Sequence, residues 1–256
     1  MHIPTLAPEV LFKVGEFPIT NTMVNAWLAI VIFLILGIFI KRNVKLIPGK
    51  FQNACEFFLE KLLGYFDQVT GDRKKTISFL PLVGSIFFFI LLSNWLGLIP
   101  GTGSLTIGNN PLLRPANTDI NLTASMALIA VISSHIFGLV TVGVFTHLNK
   151  FIQIGTLVSS FKKGPVAILT AIIEMGVGLI EIVSEIAKVL SLSLRLFGNI
   201  FAGEVLITVI ASLFSVLMPT PFMLLELLVG IVQAGVFAML ATVYLTVMTT
   251  KPEIEH

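Results

Sequence analysis

The sequence predicts an all-α integral membrane protein with about five crossings, an amphipathic surface helix, and a long tilted two-helix hairpin at its C-terminal end. Three observations predict it. The 256-residue chain is 55% apolar and 12% charged, against roughly 25% charged in an ordinary soluble domain. Several apolar runs reach the roughly 20 residues that a helix needs to cross a bilayer. The stretch between Pro165 and Pro219 holds no internal proline and is overwhelmingly apolar, yet it carries Glu174, Glu181, Glu185, Lys188, Arg195 and Glu204. Charges inside a bilayer are costly, so that stretch is too long and too charged to be a plain anchor.

All of 1–256 reads as one helical membrane domain. Residues 1–23 form an outer N-terminal segment. They hold Glu9, Lys13 and Glu16 but no basic cluster ahead of an apolar run, the pattern expected of a cleaved signal. The first span, 24–40, ends at Lys41, Arg42 and Lys45, which puts its far end in the cytoplasm by the positive-inside rule. Over 48–75, Phe51, Ala54, Cys55, Phe58, Leu62 and Phe66 recur at helical spacing while Glu56, Glu60, Lys61 and Asp67 take other faces. That pattern predicts an amphipathic helix on the cytoplasmic side.

The second span, 79–99, places Trp95 at the outer interface and stops at Pro100-Gly101. Residues 100–121, rich in Gly, Asn, Thr and Pro, read as an outer loop whose basic residue is Arg114. A third span over 122–147 returns to a loop with Lys150, Lys162 and Lys163. The helices 166–218 and 222–249 then form the hairpin around Pro219-Thr220-Pro221. At 1.5 Å per residue they would be about 80 Å and about 45 Å long, against a hydrocarbon core of about 30 Å, so both must tilt or bend. The N terminus falls outside and the C terminus inside.

On the long helix the charges keep to one stripe. With Arg195 as zero, Lys188 falls at about 20°, Glu181 and Asn199 at about 40°, Glu174 at about 60°, Glu185 at about 80° and Ser191 at about −40°. Glu204 alone falls at about 180°. Glu181, Glu185 and Lys188 have a plain alternative reading as ion pairs on a wet part of the helix. Arg195 does not, because Leu194, Leu196 and Phe197 surround it. A guanidinium cannot shed its proton, and an arginine at mid-membrane costs at least about 2.5 kcal/mol, so it needs an anionic partner or a wet cavity. A carboxyl group such as Glu204 can instead take up a proton. On the last helix Glu226 and Gln233 lie seven residues apart and share a face with Tyr244. Glu204 and Glu226 stand about equally far from the Pro219–Pro221 turn, so the hairpin brings them to similar depth near the outer side.

A physical reading follows. Arg195 meets a partner's carboxylate, groups behind it bring protons in from outside, and Glu174, Glu181 and Glu185 offer an acidic route on the cytoplasmic side. The fixed positive charge keeps the two routes from joining.

The run SLSLRLFGNIFAGE from Ser191 to Glu204 resembles the signature of subunit a of the F-type ATP synthase membrane sector. Further resemblance lies in LLSNWLGLIPG (Leu91–Gly101), PANTDINLT (Pro115–Thr123) and ELLVGIVQAGVFAMLATVYL (Glu226–Leu245), so it covers nearly the whole chain. It implies that Arg195 is the family's essential arginine, facing the ion-binding carboxylate of a rotating c-ring. It implies that Asn199, Glu204 and Gln233 serve proton transfer beside that arginine, that Ser191 and Glu181 line the cytoplasmic exit, and that Asp119 with Asn121 belongs to the outer intake. Glu226 stands where some bacterial relatives carry histidine. The implied partners are the c-ring, the peripheral-stalk b subunits and the lipid bilayer; the implied location is an energy-coupling membrane, the bacterial plasma membrane. The resemblance assigns no role to His135 or His147, which read as helix-packing residues.

Other classes find little support. A formal charge of +2 gives no nucleic-acid signal, and Cys55, the lone cysteine, excludes an internal disulfide and spaced-cysteine zinc sites. There is no phosphate loop of the G-x-x-x-x-G-K-[ST] type, no H-E-x-x-H and no G-x-S-x-G, so catalysis on ATP or an intramembrane protease is not expected and no cofactor is implied. The alternative that remains is a self-contained secondary transporter or channel using the same charges.

Overall fold

The computed structural model describes residues 5–99, 106–107, 110–151, 165–214 and 218–250. The protein is all-α in its membrane part, and among the described residues five helices are long and apolar enough to cross a bilayer. The chain begins with an antiparallel hairpin, β1 (Val10–Val14) against β2 (Phe17–Thr20). Gly15, at φ +66°, supplies the left-handed residue its tight turn needs. Asn21 N donates to Glu9 O at 3.1 Å, tying that hairpin to the start of α1 (Asn21–Asn43). Thr20 caps the helix by accepting from Met23 N. The end of the bundle marked by this hairpin is called the hairpin end below, and the opposite end, where α1 closes with Lys41 and Arg42, the basic end.

The single amphipathic helix expected over 48–75 is divided. Helix α2 (Lys50–Thr70) stops at Gly71, which sits at φ +66° and donates to Asp67 O. Asp72 then caps α3 (Arg73–Leu98) by accepting from Lys74 N at 2.9 Å. A left-handed glycine followed by an aspartate is a stop and a start in consecutive positions, so Arg73, Lys74 and Lys75 belong to the next span.

The outer loop expected over 100–121 is only partly a surface feature. Beyond the short pairing of β3 (Thr106–Ile107) with β4 (Asn110–Pro111), residues 114–119 are buried and include a 3₁₀ turn, Ala116–Thr118. This segment is wedged between helices, and at Gly97 any side chain would overlap Pro115.

Helix α4 (Ile120–Val142) is capped by Asp119, which accepts from Asn121 N at 2.9 Å. The span expected over 122–147 ends early: Gly143, at φ +95°, donates to Leu139 O and breaks the helix, and α5 (Val144–Phe151) follows. The long pair consists of α6 (Pro165–Leu213, 49 residues) and α7 (Pro219–Thr249, 31 residues). The first stops short of residue 218, and the second starts at Pro219 rather than 222 because proline is suited to the first helical turn. At about 73 Å, α6 is more than twice the thickness of a hydrocarbon core, so to span one it has to lie obliquely or extend beyond it.

The buried core lies where α3, α4, α6 and α7 meet, around Val83, Phe87, Ile90, Ala130, Leu192, Leu196, Phe237 and Leu245. Ala234, Ala238 and Ala241 on α7 have no exposed surface, and such small residues let helix backbones approach closely. Burial is uneven: half of the α3 span window is buried but 17% of the α6 window. Much of α6 is therefore bare.

Candidate functional site

Arg195 sits on that bare surface. Its side chain is exposed, with Ser191 and Asn199, one turn either way, exposed beside it. Arg195 Nη2 reaches Ser191 Oγ at 3.5 Å, a weak contact, and among the described residues no carboxylate pairs with it. Val177, Ile180, Leu206, Val209 and Leu213, all exposed, extend the same face in both directions. A permanent cation thus stands exposed between Ser191 and Asn199, with aliphatic residues continuing its face toward both ends of the helix.

Glu204, nine residues on and half a helical turn round, points inward. It receives a bidentate pair from Arg114, with Nε to Oε1 at 2.8 Å and Nη2 to Oε2 at 2.9 Å. Arg114 is 3% exposed. Its remaining donors go to the carbonyls of Thr5 (2.9 Å) and Ala7 (3.4 Å), and its guanidinium stands 5.9 Å from the centre of the Phe201 ring. Residues from the N-terminal tail, the buried loop and α6 therefore converge on one guanidinium. Planar bidentate pairing explains why arginine serves here.

Glu226 of α7 is buried against the next residue of α6. Gly203 has no side chain, and one methyl group there would overlap the Glu226 carboxyl. Nearby, Asn117 Nδ2 donates to Asn94 Oδ1 at 2.7 Å and Asn25 Nδ2 to Arg114 O at 2.7 Å. Asn25 Oδ1, Ser93 Oγ, Asn94 Nδ2, Asn117 Oδ1 and Glu226 Oε1 are buried without a partner among the described residues. Buried polar atoms of this kind are served by water. Asp119 accepts from Thr22 Oγ1 at 3.2 Å besides capping α4, so its carboxylate is engaged in holding α1 to α4.

A second ionisable cluster lies ten residues, about 15 Å, from Arg195 toward the basic end. Glu185 accepts from Lys188 Nζ at 2.6 Å and approaches His135 Nε2 at 3.4 Å. His135 Nδ1 lies 3.2 Å from His147 Nε2, and the Lys188 ammonium stands 5.3 Å from the Tyr244 ring centre. Glu181 is half-exposed one turn away and outside this network; the side chain of Glu174 lies outside the described residues. Gln233 is half-buried on α7.

The structure thus gathers the sequence-named residues into three places: Glu204, Glu226 and Asp119 at the hairpin end; Ser191, Arg195 and Asn199 on the bare face; Glu181 near the basic end. Sequence reasoning missed Arg114, weighed there only as a loop charge, and the asparagines Asn25, Asn94 and Asn117. Three buried asparagines within or beside apolar runs were the available signal, because unpaired amides do not sit in oil without a reason.

Fold and charges together define a polytopic helical membrane protein with ionisable groups both between and on its long spans. Residues 23–246 match the family described as ATP synthase A chain. The chain is 34% identical to ATP synthase subunit a of Moorella thermoacetica, covering 93% of this chain and 94% of that one. It is 33% identical to the same subunit of Syntrophobacter fumaroxidans, over 95% and 90%, and 31% identical to ATP synthase subunit a 2 of a Bradyrhizobium species, over 96% of each. The chain belongs to the ATP synthase subunit a family.

Proposed function

We propose that this chain is the ion-translocating stator subunit of a rotary F-type ATP synthase, with two offset half-channels separated by Arg195. The hairpin end faces outward and the basic end faces the cytoplasm, in a bacterial plasma membrane, so that the N terminus is outside and the C terminus inside. Protons enter among the water-served polar groups near Glu226, with Glu204, Asn199, Gln233 and Asp119 shaping that path. They load a carboxylate of the c-ring as it passes α6. After nearly a full turn the carboxylate meets Arg195, is drawn into its charged form, and releases its proton toward Ser191 and Glu181. Peripheral-stalk b subunits hold the stator in place. Each charge crossing the membrane supplies about 2.3 kcal/mol per 100 mV, which the ring turns into torque. The chain itself performs no chemistry on ATP.

One observation carries this reading: Arg195 is exposed and lacks an anionic partner among the described residues, so an acid from another subunit can meet it. Arg195→Ala in the assembled complex tests it. ATP-driven proton pumping by membrane vesicles should stop and passive proton leak should rise. Pumping at the unmodified rate would sink the reading. Proton flux by the purified chain alone in liposomes would favour a self-contained channel.

A further inference from the structure

We propose that Glu185, His135 and His147 form a proton relay that carries the outgoing proton from the neighbourhood of Arg195 toward the basic end. The proposal rests on the stator reading above and assigns residues to its last step.

The geometry is built by a break in the chain. His135 and His147 are twelve residues apart, and in an unbroken helix they would stand about 18 Å from one another. Gly143, at φ +95°, ends α4 and lets α5 fold back, so the two rings meet at 3.2 Å between Nδ1 of His135 and Nε2 of His147. The rings are nearly perpendicular, at 82°, with centroids 5.5 Å apart. Gly138 makes room for the second ring: a Cβ there would come within 2.8 Å of His147 Cε1 and 2.9 Å of the Met248 carbonyl oxygen. Two glycines with distinct roles, a left-handed break and a hollow, serve one contact.

Glu185 and His135 each have a partner on either side. His135 uses Nε2 toward Glu185 Oε2 at 3.4 Å and Nδ1 toward His147. Glu185 uses its other oxygen for Lys188, whose ammonium is held over Tyr244. The row passes from a half-buried carboxylate to a histidine that is 4% exposed, and draws on α4, α5 and α6. Packing alone explains a buried imidazole, but it does not require both nitrogens of His135 to face titratable groups.

The step balances in protons. Glu185 takes up the arriving proton on Oε2 and passes it to Nε2 of His135, whose Nδ1 proton moves to Nε2 of His147, whose own Nδ1 proton leaves. One proton enters and one departs, and both rings then exchange tautomers to reset. Imidazole suits this because its two nitrogens let one ring accept and donate on opposite edges.

The test uses the assembled complex in membrane vesicles carrying His135→Ala, His147→Ala or the shape-keeping His147→Gln, each compared at equal complex content. We expect ATP-driven proton pumping to fall about tenfold or more, since positioned acid–base groups contribute at least that much. Added imidazole should restore pumping in the alanine variants, which a packing defect would not allow. Unchanged pumping overturns the relay, and so does slowed pumping that imidazole does not restore. Arg195→Ala in the same vesicles separates the two levels. If it abolishes pumping while the histidine variants pump normally, the relay alone is wrong; if it pumps normally, the stator reading is wrong.

Discussion

The Arg114–Glu204 pair makes a prediction whose two halves differ in pH dependence. Removing one partner of a buried ion pair costs about 3–5 kcal/mol, because the other charge is left buried and uncompensated. Arg114, at 3% exposed, cannot escape by losing its proton. In Glu204→Gln it keeps the Thr5 and Ala7 carbonyls and the Phe201 face but loses its counter-charge. The deficit should therefore last for as long as the unmodified chain keeps its Arg114–Glu204 ion pair. Arg114→Met leaves a carboxyl group that can be neutralised by a proton. From the ordinary glutamate value of about 4.3, neutralisation costs about 3.7 kcal/mol at pH 7 and about 1 kcal/mol at pH 5. The Arg114→Met deficit therefore has a ceiling that falls as the medium is acidified, whereas the Glu204→Gln deficit has no such ceiling, because the arginine left behind keeps its charge. Unfolding of the full chain in detergent, followed by the fluorescence of its two tryptophans, Trp27 and Trp95, reads both variants at each pH. A deficit below about 1 kcal/mol at pH 7 in either variant, or an Arg114→Met deficit that exceeds its ceiling at pH 5, would refute the reasoning. Glutamine at 204 is thus expected to weaken the fold as well as slow flux, which the sequence by itself did not suggest.

Two further predictions concern close contacts. Gly203→Ala should destabilise the chain by about 1–3 kcal/mol through overlap with the Glu226 carboxyl, and Glu226→Ala should relieve it; a double-mutant cycle of unfolding free energies checks the coupling. Asp119→Ala should cost about 0.5–2 kcal/mol from the lost α4 cap, with more from the lost Thr22 bond, and Asp119→Asn should recover much of the cap; thermal unfolding of the three proteins ranks them.

Local signals in the sequence had uneven reach. Helical periodicity on its own placed Glu204 opposite Arg195, and the structure has one turned inward and the other exposed. Gly71 with Asp72, and Gly143, were in plain view as punctuation, yet an isolated glycine in an apolar run is compatible with an unbroken helix. Only backbone conformation, with both glycines at positive φ, decides between the two. The burial of residues 114–119 was beyond local reasoning. Arg114 and Glu204 lie 90 residues apart, and nothing in the composition of a Gly-, Asn- and Pro-rich loop announces that it will be wedged between helices. His135 and His147 read as separate packing residues for the same reason, because their meeting depends on the fold-back at Gly143.

The dressing of α6 around Arg195 has a mechanical consequence. Val177, Ile180, Leu206, Val209 and Leu213 are aliphatic, with no aromatic anchor among them. Tight, static recognition concentrates its energy in aromatic and arginine anchors seated in matching pockets, whereas dispersion between smooth aliphatic surfaces is weak per atom and indifferent to register. On the stator reading proposed above, such stretches would serve as a greased bearing along which a neighbour glides with little ruggedness, and the polar patch of Ser191, Arg195 and Asn199 between them would be the detent at which a passing acid pauses.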